Sequence, residues 1–156
     1  MSNKKMALIV SKGTLDTAYP PFILASTAAA LGYEVQIFFT FYGLQLLRKD
    51  MSNVVMSPLA NPAIPMSMSM PVMAQMLPGM ESMATLLMKQ KLKKHGVASL
   101  EELRDLCVEA QVKFIACQMT VDLFEFDQGE FIADIEYGGA AMFMGFAGDA
   151  DICLFI

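Results

Sequence analysis

Four short apolar runs constrain the fold of this chain more than any other feature of its sequence. The first, "KKMALIVS", is an uninterrupted apolar stretch bounded by lysines on one side and by "SKG" on the other. Such a run is typical of a strand that is buried on both faces of a sheet. We interpret the other three runs, "EVQIFFTFYG", "VKFIAC" and "DICLFI", as strands too, because they are rich in β-branched, aromatic or other large apolar residues.

Helical segments separate these predicted strands. In "YPPFILASTAAALG" the alanines favour a helix, Pro20 and Pro21 suit its first turn, and Gly32 suits the position after its end. A strand, a helix and a strand within about forty residues form a βαβ unit, whose crossover makes the two strands parallel. We therefore predict an α/β fold, with a mostly parallel sheet covered by helices on both faces in a three-layer, Rossmann-like arrangement. With no second core and no repeat, residues 1–156 are expected to form a single domain.

The later segments follow the same alternation. "YGLQLLRKD" is predicted to be a short amphipathic helix. "ESMATLLMKQKLKKHG" and "SLEELRDLCVEAQ" are predicted helices, the second with Ser99 as its N-cap and Glu102 at the capping-box position. "FIADIEYGGAAMFMGFAGDA" is predicted to be mainly a helix that follows a strand-like turn.

Composition and charge exclude several classes of function. Hydrophobic residues make up 55% of the chain, above the usual 45–50% or so, and we expect part of that excess to cover neighbouring subunits of a homo-oligomer. A net charge of −5 argues against a nucleic-acid binder. No run of about 18 apolar residues exists, so no membrane-spanning helix is expected. The N-terminus resembles a strand rather than a signal peptide, so a cytoplasmic protein with reduced thiols is expected.

The segment 51–79 differs from the rest of the chain. It holds five of the seven prolines and many of the methionines, and "NPAIPMSMSMPVMAQMLPGM" has no clear period. We predict a long loop whose methionines form adaptable apolar surface for contacts with neighbouring subunits or for a partner groove, and which helps to wall the pocket at Cys117. A rival interpretation is a Cu(I)-binding module, because thioethers are soft ligands.

Cys117 is the candidate reactive residue. It ends the third predicted strand, and in open α/β sheets ligands bind beyond the carboxyl ends of the strands. Backbone N–H groups in the following helical turn would stabilise an anionic sulfur, whereas the carboxylates of Asp122 and Glu125 would oppose it. Position alone leaves a reactive thiol and a buried packing residue both open.

The remaining cysteines are interpreted as packing residues, and the single histidine as a solvated residue at a helix end. Cys107 lies on a helix that must run antiparallel to the third strand, which places it near the start of that strand and away from Cys117. Cys153 lies inside the last strand, where a packing role is expected. The three cysteines form no metal-binding pattern, so no metal and no cofactor are predicted. His95 sits at a lysine-rich helix end, which makes a Cys–His hydrolase a poor interpretation.

Several motifs taken together resemble the DsrE/DsrF/DsrH-like proteins of sulfur metabolism. They are "IACQMTVDL", "NPAIPMSMSMPVM", "LPGMESMATLLMK", "GVASLEELRDLC" and "YGGAAMF", and the similarity extends over nearly the whole chain. The resemblance implies a DsrE-like α/β fold, an oligomer, and a sulfur carrier. Such a protein holds sulfane sulfur as a persulfide or thiosulfonate and passes it to a partner thiol, as a transfer protein rather than an enzyme of high turnover. The resemblance assigns this role to Cys117, and it implies a TusA-like or rhodanese-like sulfur carrier as the partner.

A small sulfur anion would be held beside that thiol. The loop "SKGTLD" follows the first strand, so Lys12 and the backbone at Gly13 are expected at the same edge of the sheet. Gln118, next to Cys117, is assigned to the same binding site. An ordinary strand–helix turn is the alternative for the loop, and a structural subunit without chemistry is the alternative for the whole chain.

Overall fold

A five-stranded parallel sheet forms the centre of the computed structural model, which describes residues 3–57 and 77–156. The strand order is β4-β3-β2-β1-β5, and every neighbouring pair is parallel. The predicted parallel α/β fold is therefore confirmed. The strands are β1 (Lys5–Val10), β2 (Glu34–Phe39), β3 (Lys113–Cys117), β4 (Glu136–Gly138) and β5 (Ile152–Phe155).

Helices connect the strands and cover both faces of the sheet. The capping box predicted at Ser99 and Glu102 is present, since each residue's side chain bonds the other's backbone N–H. Gly32 has a φ of 85°, which suits its position just after the first helix. The α-helices are α1 (Leu15–Ala30), α2 (Met80–Lys94), α3 (Leu100–Glu109), α4 (Gln118–Leu123) and α5 (Ala140–Ala147); the 3-10 helices are η1 (Phe41–Leu47) and η2 (Gln128–Glu130).

The first face of the sheet carries the larger part of the core. Phe22 of α1 packs between Phe39 of β2 and Phe114 of β3, with ring centroids 6.1 and 6.0 Å away. α1 and α3 lie together on this face. Alternate residues of each strand point into this layer, as the twofold side-chain period of a strand requires.

Within residues 3–57 and 77–156, one short helix covers the second face of the sheet. Phe143 of α5 stacks on Phe38 of β2 with ring centroids 5.1 Å apart, and Phe146 is also buried there. The strand residues under these rings include Ile115 and Cys117. Because α5 has only eight residues, it covers the middle of the sheet and leaves the β5 edge open.

Three local expectations need correction. The segment predicted as mainly helical contains the strand β4 before the helix α5. The helix α1 begins at Leu15, so Pro20 and Pro21 lie inside it rather than in its first turn. The predicted amphipathic helix after β2 is the 3-10 helix η1.

Most of the methionine-rich segment falls on residues 58–76, outside the described residues, and so do its predicted subunit contacts and its candidate copper ligands. Its beginning is described: Met51, Val54 and Met56 are buried in the core. Across residues 3–57 and 77–156, none of the helices combines the length and the apolar character that crossing a membrane requires.

Candidate functional site at the end of strand β3

Cys117 lies at the carboxyl edge of the sheet, where the sequence places it. It is the last residue of β3 and the N-cap residue of α4, and its side chain is 5% exposed. On one side of it, β4 contributes Gly138 as its register partner. On the other side, the register of β2 pairs Phe39 with Ala116, so that Thr40 is the residue beside Cys117.

Two threonine hydroxyls meet next to this thiol. Thr120, in the first turn of α4, is fully buried. Its Oγ1 lies 3.3 Å from Oγ1 of Thr40 and accepts a hydrogen bond of 3.2 Å from the backbone N–H of Phe41. Phe41 has a φ of 47°, in the left-handed region that side-chain-bearing residues rarely adopt.

The surroundings of Cys117 lower the pKa of its thiol. Burial raises that pKa, but hydrogen bonding from the hydroxyl and N–H of Thr120, the hydroxyl of Thr40 and the N–H of Met119 outweighs burial. All of these donors are neutral. Asp122 and Glu125, which we expected to oppose the thiolate, are not among the groups that shift its pKa; Asp122 accepts a 2.8 Å hydrogen bond from Nε2 of Gln118. The sequence left open whether the surroundings of Cys117 favour its thiolate form, and these hydrogen bonds favour it.

The other predicted binding residues lie at the same edge of the sheet. Lys12 is exposed in the loop after β1, and β2 separates β1 from β3, so about 10 Å of sheet lies between the two strand ends. Gly13 has a structural reason to be glycine, because an added Cβ would overlap the carbonyl oxygen of Tyr42. Gln118 is half-buried and is engaged with Asp122. Their roles in binding remain predictions.

Cys107 is a buried packing residue, as the sequence predicts. Its side chain is 0% exposed, and its Sγ donates to the carbonyl oxygen of Phe22 at 3.4 Å. Burial raises its pKa to about 12. It belongs to the core of the first face, whereas Cys117 packs on the second, so the two thiols of one chain do not meet.

The expectation that Cys153 is a buried packing residue is wrong. Cys153 is exposed. Its strand, β5, is at the edge of the sheet beside β1, and its register partner Ala7 points to the second face. The short helix α5 does not extend far enough to cover it.

An aromatic groove of about 220 Å³ lies near the threonine pair and was not predicted. Phe124 packs against Phe41 and Tyr42 with ring centroids 6.2 and 6.0 Å apart, and Gln45 and Phe126 complete the lining. The signal in the sequence is the clustering of aromatic residues in "FTFYG" and "LFEFD", directly after the ends of β2 and α4. Across the described ranges, no group of three or more His, Cys, Asp or Glu side chains is arranged to hold a metal ion.

Comparison with known proteins places the chain in a family. The model of the DsrE/DsrF/DrsH-like family matches residues 2–155. The chain belongs to this family. The resemblance recognised in the sequence motifs is thereby confirmed.

Two relatives of this DsrE-like chain align along nearly its full length. The sulfur carrier protein DsrE2 of Allochromatium vinosum is 64% identical over 160 residues, which cover 100% of both chains. The uncharacterized protein YrkE of Bacillus subtilis is 31% identical over 157 residues, covering 98% of this chain and 97% of YrkE.

A solved structure shares the fold of this DsrE-like chain. The ychN protein from E. coli superposes with a TM-score of 0.55 at 9% identity, and the match covers 97% of this chain and 99% of that one. At this level of identity the likeness concerns the fold alone.

Proposed function

We propose that this protein is a sulfur carrier that holds sulfane sulfur on Cys117 and passes it to the thiol of a partner. The observation that carries the proposal is the thiol at the sheet edge, whose pKa is lowered by neutral hydrogen-bond donors. A thiolate is the species that attacks sulfane sulfur, so a lowered pKa raises the fraction ready to react at neutral pH. The 64% identity to a protein named as a sulfur carrier supports the same function.

The chemistry requires two exchange steps and no oxidant. In loading, the Cys117 thiolate attacks the outer sulfur of a donor persulfide, a Cys117 S–S bond forms, and the donor leaves as a thiolate. In unloading, an acceptor thiolate attacks the outer sulfur, that S–S bond breaks, and Cys117 leaves as a thiolate. Thiosulfate can load the same thiol: the thiolate attacks the outer sulfur, the S–S bond of thiosulfate breaks, and sulfite leaves. For a protein-bound thiosulfonate, the thiolate attacks the sulfur that is bonded to the donor's cysteine, a Cys117 S–S bond forms, and the donor's cysteine leaves as a thiolate while the sulfonate group stays on the transferred sulfur. The lowered pKa of Cys117 also favours its departure as a leaving group.

The predicted partners fit this chemistry. A TusA-like or rhodanese-like sulfur carrier would supply or receive the sulfur, and the exposed Lys12 would attract small sulfur anions to the edge of the sheet, with Gly13 and Gln118 near the bound anion. We propose a homo-oligomer, since the exposed residues include many large apolar side chains, among them Leu86 and Leu123. We also propose a cytoplasmic location, where the free thiols of the chain stay reduced.

Thiocyanate release tests the function. The protein is treated with polysulfide, desalted and incubated with cyanide, which removes the outer sulfur of a persulfide as thiocyanate. The comparison uses a Cys153→Ser background, which removes the exposed second thiol. On that background the protein with and without Cys107→Ala should release about one equivalent per chain, whereas the further change Cys117→Ser should abolish release. Equal release with and without Cys117 would show that Cys117 does not carry the sulfur. That result would favour the alternative of a structural subunit without sulfur chemistry.

A further inference from the structure

The hydroxyl of Thr120 is buried beside Cys117 and has two neighbours within hydrogen-bond distance. Thr120 has no exposed surface, so its Oγ1 must find its hydrogen-bond partners inside the protein. A threonine hydroxyl offers one proton and two lone pairs. The N–H of Phe41 donates to one lone pair at 3.2 Å, and Oγ1 of Thr40 lies 3.3 Å away, in a contact where either hydroxyl can donate to the other.

This arrangement leaves one hydroxyl proton of the threonine pair available to the sulfur. The contact between Thr40 and Thr120 uses one of their two hydroxyl protons whichever of them donates, and Cys117 is three residues before Thr120 at the start of the same helix. Thr40 stands beside Cys117 in the strand register and on the same face of the sheet. Hydrogen bonds linked in series polarise one another, which strengthens the last donor of the chain.

The backbone of Phe41 is strained in a way that serves this arrangement. A φ of 47° costs free energy in a residue with a side chain, and such conformations persist only where the surroundings enforce them. Here the strained residue directly follows Thr40 and aims its N–H at Thr120. The turn thus fixes both hydroxyls in relation to the end of β3.

Charged groups around Cys117 are engaged elsewhere or stand at the far end of the strands. Lys113 and Glu136 form an ion pair of 3.0 Å, and Asp122 accepts from Gln118. Glu34 and Lys113 begin their strands, whereas Cys117 ends its own. Helix α5 has no charged residue, and residues 58–76, outside the described part, have none in their sequence. The groups that stabilise the negative charge of the sulfur are accordingly neutral donors.

We propose that Thr40 and Thr120 are positioning residues that stabilise the thiolate of Cys117 through their hydroxyls. This proposal rests on the proposed sulfur-carrier function only for its biological meaning, because the thiolate can be measured without any sulfur transfer. In loading, the hydroxyl pair stabilises the attacking thiolate, one hydroxyl directly and the other through it; in unloading, the pair stabilises the same charge as it returns to Sγ. Loss of either hydroxyl should slow both steps.

The test measures how the rate of alkylation of Cys117 by iodoacetamide depends on pH, with peptide mass spectrometry as the readout. The proteins compared are wild type, Thr120→Val, Thr120→Ser and Thr40→Val. Removing a hydrogen bond to the charged form raises the pKa, so each valine variant should move the midpoint of the profile to higher pH. Near neutral pH these variants should react about tenfold more slowly. Thr120→Ser keeps the hydroxyl and should match wild type.

The matched control is Thr85→Val, which removes another buried threonine hydroxyl, on α2, whose partners are the backbone groups of Met56 and Glu81. It should leave the profile of Cys117 unchanged. An unshifted midpoint in the valine variants, or slowing that is equal at every pH, overturns the proposal; so does the same shift in the Thr85 control. If Thr120→Val does not fold, Thr40→Val and Thr120→Ser decide alone. Shifted profiles in a protein that releases no thiocyanate would instead refute only the sulfur-carrier function.

Discussion

Replacing Phe143 by alanine tests how the second face of the sheet is held together. The ring is 2% exposed and stacks on Phe38 at 5.1 Å, and with Phe146 it packs α5 against the strands of this face, which include the strand that carries Cys117. Phenylalanine-to-alanine changes in cores cost about 3–5 kcal/mol. We expect about 3 kcal/mol, near the lower end, because α5 is eight residues long with an exposed outer side and can settle toward the sheet.

The free energy of unfolding is measured by urea denaturation, with a thermal scan alongside. For a chain of this size about 3 kcal/mol corresponds to a Tm lower by about 6–12 °C. Met144→Ala is the matched control, since Met144 is 60% exposed on the same helix and its loss should change stability by less than about 0.5 kcal/mol. Alkylation of Cys117 should also be faster in Phe143→Ala. A loss below about 1 kcal/mol, or equal losses in the two variants, would show that Phe143 does not anchor α5 to the sheet.

Three further outcomes follow from the cysteines and from Lys12. The folded pKa of Cys107 is raised to about 12, so its contribution to stability is complete below pH 9 and is lost as pH rises toward 12. The free energy of unfolding of wild type should therefore fall, relative to that of Cys107→Ala, by about 1.4 kcal/mol per pH unit between pH 9 and 11; parallel curves would contradict the burial of the thiol. In native protein at neutral pH, iodoacetamide should label the exposed Cys153 far faster than Cys107, and equal rates would mean that the core around Cys107 opens readily. Lys12→Gln should slow loading by thiosulfate more at low ionic strength than at high, with no change in the alkylation profile of Cys117; loading that is unaffected at both ionic strengths would remove Lys12 from the site.

The sequence was sufficient for the parts of the fold that depend on local patterns. The apolar run before "SKG", the alanine-rich helix and the second apolar run specify a parallel βαβ unit, and the capping box at Ser99 marks the start of α3. Cys117 was placed correctly because a strand end is also a local signal. β4 was harder to predict, because three residues of "EYG" are too short to show an alternating pattern.

The rest depended on contacts between distant residues. Whether a strand lies at the centre or the edge of a sheet is decided by its neighbours, and for that reason the exposure of Cys153 was missed. Thr40 and Thr120 are 80 residues apart and meet only because β2 and β3 are adjacent. A threonine directly after a strand and another three residues after Cys117 were visible in the sequence, but nothing there showed that their hydroxyls come together.

The most direct test of the central claim is the intact mass of the protein after treatment with polysulfide, followed by removal of excess reagent. The comparison is made on the Cys153→Ser background, with and without the further change Cys117→Ser. The first variant keeps Cys117 and the buried Cys107 as its thiols, and the second keeps Cys107 alone. We predict that Cys153→Ser gains one sulfur atom, about 32 Da, and that the double variant keeps its original mass. A double variant modified as fully as Cys153→Ser would show that Cys117 does not carry the sulfur.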